Sequence, residues 1–217
     1  MKKIINCLRE ENPVINKKLK EVTLGEGWEI ATELLHILTK RKDGIGLAAN
    51  QVGIDASVAV VNVREPLILI NPVIKEQWDE VDYYEDCLSF PKKGVNTKRY
   101  KNIIIHTEQE ESDWYFSGEP TPGEGMGTWE QAKSNKQDEE QRLLEAICIQ
   151  HEIDHLNGII CMDKEIKLEP IKVLNKWGRN EIVMITNGEE TKDLKYKKAK
   201  PLIDSGKWEI YIGGPIT

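Results

Sequence analysis

The chain lacks any long run of apolar residues. No stretch of its 217 residues approaches the roughly 18 apolar residues that a membrane-spanning helix needs, and the mean hydropathy is -0.50. The first residues, MKKIINCLREEN, are basic, but charge interrupts their apolar part too early for a secretory signal. We therefore expect a cytoplasmic protein with no membrane partner.

Basic residues are in deficit as well. The chain has 30 Lys and Arg against 37 Asp and Glu, which gives a net charge of -7. A general nucleic-acid binder needs a basic face that neutralises phosphates, so we do not expect DNA as a partner. The local run KYKKAK (195–200) is typical of a solvated charged face. Contact of this run with the ribosome is a sharper alternative hypothesis.

Cysteine and histidine are scarce, with four residues of each type. In a chain without an export signal, cysteines are expected to be reduced, which makes a disulfide framework improbable. They are instead candidates for packing, redox chemistry or metal binding. The four cysteines are Cys7, Cys87, Cys148 and Cys161.

Hydrophobic periodicity predicts helices and strands in one catalytic domain, residues 1–165, followed by an extension of unknown role, residues 166–217. The pattern predicts two helices, three apolar strands, a long polar loop, and a hairpin and final strand in the extension. The predicted segments are helices near 25–44 and at 139–158, strands at 57–63, 67–72 and 102–107, and the loop at 117–138.

The second predicted helix carries the motif His151-Glu152-Ile153-Asp154-His155. Histidines four residues apart lie one helical turn apart, so both imidazoles can reach one metal ion. Glu152 follows the first histidine and can reach a water on that ion. The HExxH spacing therefore predicts a metal-dependent hydrolase.

Two histidines need a third protein ligand. Cys161 lies six residues after His155, while Glu165 or Glu169 would resemble the third ligand of other HExxH proteases. Cys87 precedes a turn that can present a side chain to a cleft. The residues alone favour Cys87 over Cys161 but leave these alternatives open.

Three motifs resemble those of the peptide deformylases. GIGLAANQ (44–51) is similar to GxGLAAxQ, EDCLS (85–89) to EGCLS, and QHEIDH (150–155) to QHExDH. They occur in the order that the family has, and together they cover roughly residues 1–165. The resemblance implies an α+β fold, with antiparallel or mixed β-sheets packed around the helix that carries HExxH.

The resemblance also implies roles for individual residues. Cys87, His151 and His155 would bind one divalent metal ion, and Glu152 would be the general acid and base. The side chain of Gln51 and the backbone N–H of Leu88 would stabilise negative charge on the substrate oxygen. Sulfur and nitrogen ligands suit Zn and Fe(II), with Ni or Co as substitutes; the resemblance favours Fe(II).

The implied reaction removes the formyl group from N-formyl-methionine of nascent polypeptides, and a monomer is the expected state. Gly46 would let an extended peptide approach its backbone and pair like a strand. Apolar candidates for the methionine pocket are Ile45, Leu144 and Ile147. Two other functions compete with this hypothesis: an HExxH zinc peptidase, and a catalytically silent deformylase-like binding protein.

The chain departs from the family in three features. Asp86 replaces the glycine of EGCLS and places a carboxylate beside Cys87. The loop at 117–138 is long, and the extension is unfamiliar. These features leave the substrate range open. We also expect Glu85 to pair with Arg99 and so to hold the turn at Cys87.

Overall fold

A computed structural model describes residues 2–41, 43–118, 129–167, 178–188 and 190–210, with the backbone alone for 129–137. The chain divides into two compact units, Met1–Leu168 and Glu169–Thr217. Each unit has its own hydrophobic cluster. Among the described residues, no helix combines the length and the apolar character that crossing a bilayer requires.

The described residues of the first unit form two α-helices and six strands. Its elements are α1 (Leu24–Leu38), β1 (Gly46–Ala48), β2 (Val58–Asn62), β3 (Pro66–Ile70), β4 (Val73–Glu85), β5 (Val95–His106), β6 (Trp114–Ser117) and α2 (Trp129–Leu156). Two three-stranded sheets have the orders β1-β2-β3 and β4-β5-β6, and every pairing in them is antiparallel. Helix α2 packs against strands of both sheets. The predicted α+β fold is confirmed.

Strand β2 is buried on both faces, which explains its continuous apolar sequence. Val58 and Val60 belong to the cluster that includes Leu34 and Leu38 of α1. The alternate residues of β2 belong to a second cluster, which includes Ile149 of α2. The β2 strand thus lies between the two helices, and it holds α2 in place from one side.

Helix α1 forms in the segment where the sequence predicts a helix, but it ends at Leu38, before the predicted end near residue 44. Thr23 caps its N-terminus: its hydroxyl oxygen accepts a hydrogen bond from the Glu26 N–H, and Glu26 accepts one from the Thr23 N–H. Leu34 and Leu38 are fully buried, while Ile30, at the other end of the predicted stripe, is half-buried.

Helix α2 begins earlier than the sequence predicts. It starts at Trp129, so residues 129–138 are helical and the loop prediction is wrong there. The first turns contain good helix formers but few apolar residues, and periodicity therefore gives no signal. Residues 119–128 lie outside the described part. The helix ends at Leu156, and Gly158 has the positive φ of 75° expected of a C-terminal glycine.

Strand β4 is the largest element that periodicity does not predict. It is mostly exposed and rich in charged residues, and a register shift between Ile74 and Glu76 interrupts its pairing with β5. A bulge of this kind breaks the alternation on which strand prediction rests. Residue 85, at the end of β4, leads directly to Cys87.

In the second unit, residues 178–188 and 190–210 form a small antiparallel sheet and one α-helix. Strands β7 (Ile182–Thr186) and β8 (Thr191–Lys195) form the predicted hairpin, and β9 (Glu209–Ile210) pairs with β7. Helix α3 (Tyr196–Asp204) is not predicted by the hydrophobic pattern of the sequence. Its Ala199 is buried with Val183 and Ile185, while the lysines at 197, 198 and 200 are exposed, as expected of a solvated face.

Candidate metal centre and cavity

The fold brings two histidines of α2 and one distant cysteine to a single point. The possible ligand atoms of Cys87, His151 and His155 all lie within 4.8 Å of one another. The imidazole rings are 4.9 Å apart between centroids, and the Cys87 Sγ lies 3.3 Å from the His155 Nε2. Among the described residues, these three form the one such group.

This group fits a divalent metal ion. One thiol and two imidazoles are the ligands that borderline ions such as Zn and Fe(II) take in proteins. All three side chains are buried, with Cys87 at 3% exposure and His155 at 1%. The buried Nδ1 of His155 has no hydrogen-bond partner in the structure. The other nitrogen of this ring, Nε2, lies beside the Cys87 Sγ, so it is the ring atom that faces the rest of the group.

A buried ionic network orients His151. The His151 Nδ1 lies 3.0 Å from the Glu85 Oε2. Arg99 donates from Nε and Nη2 to the Glu85 Oε1 at 2.9 and 2.6 Å, and its Nη1 donates to Asp154 at 2.5 Å. Thr97 donates a further hydrogen bond to Glu85. The expected pairing of Glu85 with Arg99 is confirmed.

The network keeps Glu85 ionised. Burial alone would raise the pKa of Glu85, but the hydrogen bond from His151 and the charge of Arg99 outweigh it and lower the pKa to about 2. A carboxylate that accepts from Nδ1 leaves the Nε2 of His151 available for a metal. The sequence pattern does not indicate that Asp154 binds Arg99, although Asp154 lies inside the HExxH motif.

Glu152 lies against the backbone of β1. A methyl group at Gly46 would collide with the Glu152 Oε1 and would lie 2.6 Å from the Cys148 Sγ. Only glycine leaves room for this carboxylate. The buried Glu152 Oε2 has no hydrogen-bond partner among the described residues, and burial raises the pKa of Glu152 to about 7. Gly46 therefore accommodates the acidic group of the site.

Gln51 links β1 to Cys87. Its Oε1 accepts a hydrogen bond from the Ala48 N–H at 2.8 Å, and its Nε2 lies 3.6 Å from the Cys87 Sγ. The neighbouring Asn50 donates to the carbonyl oxygen of His155 at 2.6 Å. The segment 49–52 thus fixes the end of α2 relative to the cysteine.

A cavity of about 680 Å³ opens beside two of the three candidate ligands, Cys87 and His151, which line its wall. Its wall contains Glu152, Gln51 and Leu88, together with the four residues that the sequence analysis names for substrate binding, Ile45, Gly46, Leu144 and Ile147. Leu144 and Ile147 precede His151 on α2, so helical spacing places them on the cavity side. Apolar walls beside a polar centre are typical of small-ligand sites.

The other ligand candidates are not in the group. Cys161 is buried with Cys87 and Val95, and burial with the nearby charge of Cys87 raises its pKa to about 12. It is therefore a packed thiol. Glu165 is exposed and forms a bridge with Thr97, and Glu169 lies outside the described residues.

Asp86 does not need the conformational freedom of the glycine it replaces. The described non-glycine residues with positive φ are Asn71, Asp79 and Lys92, so Asp86 has an ordinary backbone. Its side chain is exposed and lines the cavity. The substitution therefore changes the charge of the opening without backbone strain.

Comparisons with known proteins agree on one family. A family model described as polypeptide deformylase matches residues 3–117 and 128–170. The chain is 34% identical over 129 residues to a peptide deformylase of Aquifex aeolicus, covering 56% of this chain and 63% of the relative. It is 35% identical over 161 residues to a peptide deformylase of Thermoanaerobacter pseudethanolicus, covering 71% of this chain and 84% of the relative.

A solved structure shows the same fold. The peptide deformylase of Thermotoga maritima aligns with a TM-score of 0.58 at 28% identity, covering 77% of this chain and 99% of that one. The family match ends at residue 170, near the boundary between the two units. The similarity to this family therefore lies mainly in the first unit.

Proposed function

The chain belongs to the polypeptide deformylase family, whose members are metal-dependent hydrolases, and we propose that it removes the formyl group from N-formyl-methionyl nascent polypeptides. The observation that carries this proposal is the buried group of Cys87, His151 and His155 with the unpaired carboxylate of Glu152 on the wall of the adjoining cavity. The match to the deformylase family favours neither a peptidase that cleaves internal peptide bonds nor a catalytically silent binding protein.

Cys87, His151 and His155 would hold one divalent ion, for which we propose Fe(II), with Zn, Ni or Co able to substitute. When bound, such an ion polarises a carbonyl oxygen and makes water more acidic. Glu85 supports the centre, because it accepts from the His151 Nδ1 and fixes the orientation of that ring.

Glu152 would carry the proton through the reaction. Its carboxylate takes a proton from the water that attacks the formyl carbon, and it later gives this proton to the departing amine as the C–N bond breaks. The products are formate and a free methionine N-terminus. Burial of Glu152 favours its role as the proton carrier, because it prevents bulk water from competing for the proton.

Two donors would stabilise the negative charge that develops on the formyl oxygen. The Nε2 of Gln51 points toward Cys87, and Leu88 follows Cys87 on the wall of the same cavity. The Leu88 N–H makes no hydrogen bond within the described residues, so it can donate to substrate. Preorganised hydrogen-bond donors of this kind stabilise an oxyanion without a rearrangement of the protein during the reaction.

The peptide would bind along the free edge of β1. Strand β1 lies at the edge of its sheet and pairs with β2 alone. Its first residue, Gly46, lies on the cavity wall, where an extended peptide can add as a strand. The methionine side chain would contact Ile45, Leu144 and Ile147.

The remaining expectations are also proposals. The protein would act in the cytoplasm as a monomer on chains emerging from the ribosome, with no membrane or DNA partner. Residues 1–165 would form the catalytic domain. The extension, residues 166–217, would add a module of separate role, since the family match ends at residue 170.

One anaerobic experiment tests the proposal. Protein loaded with Fe(II) should release formate from formyl-Met-Ala-Ser, and Cys87→Ala should lose both activity and bound metal. Full metal content and activity in Cys87→Ala would contradict the assignment. Cleavage of an internal peptide bond without formate would indicate a peptidase, and no turnover by metal-loaded protein would indicate a binding protein.

A further inference from the structure

A tyrosine and a carboxylate lie together at the opening of the cavity. Tyr84 and Asp86 both line it, and both are exposed, with Tyr84 at 58%. A methyl group at Gly94 would lie 2.5 Å from the Asp86 Oδ1 and would collide with the Tyr84 hydroxyl. Both oxygen atoms therefore lie over the same glycine, beside one another.

Among the residues that the structure describes, none forms an ion pair with the carboxylate of Asp86. Arg41 also lines the opening, but its Nε and Nη2 donate to Asp43 at 2.9 and 2.7 Å. The charge of Arg41 is therefore already paired with that of Asp43. Lys92 is the other cation of the opening, and it forms no ion pair with Asp86 within the described residues. Asp86, which has no ion-pair partner in the described part of the chain, thus presents a negative charge to a ligand that enters the cavity.

We propose that Tyr84 and Asp86 form a subsite that favours peptides with Lys or Arg shortly after the formyl-methionine. The inference rests on the proposed function and specifies its substrate class. A cationic side chain can pair with the Asp86 carboxylate while its stem or its charge lies over the Tyr84 ring. Acidic side chains at the same place would be repelled.

The test uses the metal-loaded enzyme and matched peptide pairs. The pairs are formyl-Met-Lys-Ser with formyl-Met-Glu-Ser, and formyl-Met-Ala-Lys with formyl-Met-Ala-Glu. We expect kcat/KM to favour the lysine peptide about three- to tenfold in at least one pair, the range expected of an exposed charge pair helped by an aromatic ring. High salt should reduce the preference.

Variants identify the source of the preference. Asp86→Asn should bring the ratio close to one, and Tyr84→Leu should reduce it in part. The matched control is Asp82→Asn, which removes the same charge from an exposed position of β4 outside the cavity wall and should keep the wild-type ratio. An unchanged ratio in Asp86→Asn, or an equal loss in Asp82→Asn, would overturn the inference.

Failure of the inference is distinguishable from failure of the proposed function. Turnover of formyl-Met-Ala-Ser with no preference within either pair overturns the subsite alone. If formyl-Met-Ala-Ser is not turned over, the proposed function fails. The subsite is then tested by calorimetry, which measures the dissociation constants of the same peptide pairs. Equal dissociation constants for the lysine and glutamate peptides would then overturn it.

Discussion

The His151 Nδ1 and the Glu85 Oε2 lie 3.0 Å apart in the buried interior, so a carboxylate at the end of a strand orients a histidine of the candidate metal site on α2. Residues in this position orient the ring and raise its basicity as a ligand. The contact joins two sequence motifs that are far apart in the chain. It also connects the candidate metal centre to Arg99.

We expect Glu85→Gln to weaken metal binding by about 10- to 100-fold, because a neutral amide supports the His151 imidazole less than a carboxylate does. Competition with a chromophoric chelator under anaerobic conditions measures this affinity. Glu80→Gln is the control, since Glu80 is exposed on the same strand and pairs with Lys98 at the surface. Equal affinity in both variants would refute the role of Glu85.

Arg99→Met should destabilise the fold by about 3–5 kcal/mol, because it leaves the buried Glu85 without its arginine and leaves Asp154 paired with Lys164 alone. Urea unfolding monitored by circular dichroism measures the free energy of unfolding. Lys98→Met changes an exposed neighbour and should have little effect. A similar small effect from both substitutions would mean that the buried network does not stabilise the first unit.

Gly46→Ala should reduce kcat/KM about a hundredfold, because the added methyl group displaces the Glu152 carboxylate and small displacements of reacting groups are costly. Formate release and circular dichroism separate this effect from unfolding. In the control, Gly25→Ala, the methyl group meets no atom within 4 Å. Activity of Gly46→Ala close to that of the control would contradict the proposed position of Glu152.

Removal of the metal should lower the melting temperature, because an ion that binds only the folded chain stabilises it by about 4 kcal/mol at a thousandfold excess over Kd. Differential scanning calorimetry with and without a chelator measures the shift, and added Fe(II) or Zn should reverse it. Cys87→Ala should show no shift. A chelator effect of equal size in this variant would indicate a different metal site.

Local spacing predicts the parts of the site that lie on one element. His151 and His155 lie four residues apart, and an α-helix places such residues on one face whatever surrounds it. The same reasoning predicts most of α1, strands β2 and β3, the second half of β5 and the hairpin of the second unit. Where a segment is exposed and charged, as in β4 and the first turns of α2, periodicity carries no such signal.

The tertiary structure decided which distant residues meet. Sequence spacing left Cys87, Cys161 and two glutamates open as the third ligand, since 68 residues separate Cys87 from His155. Antiparallel pairing of β4 with β5, and packing of β5 on α2, bring Cys87 to the histidines and Arg99 to Glu85 and Asp154. The sequence by itself determined the helix and its two histidines, because hydrogen bonds between near neighbours set their geometry. The third position depends on packing between elements, which no local pattern encodes.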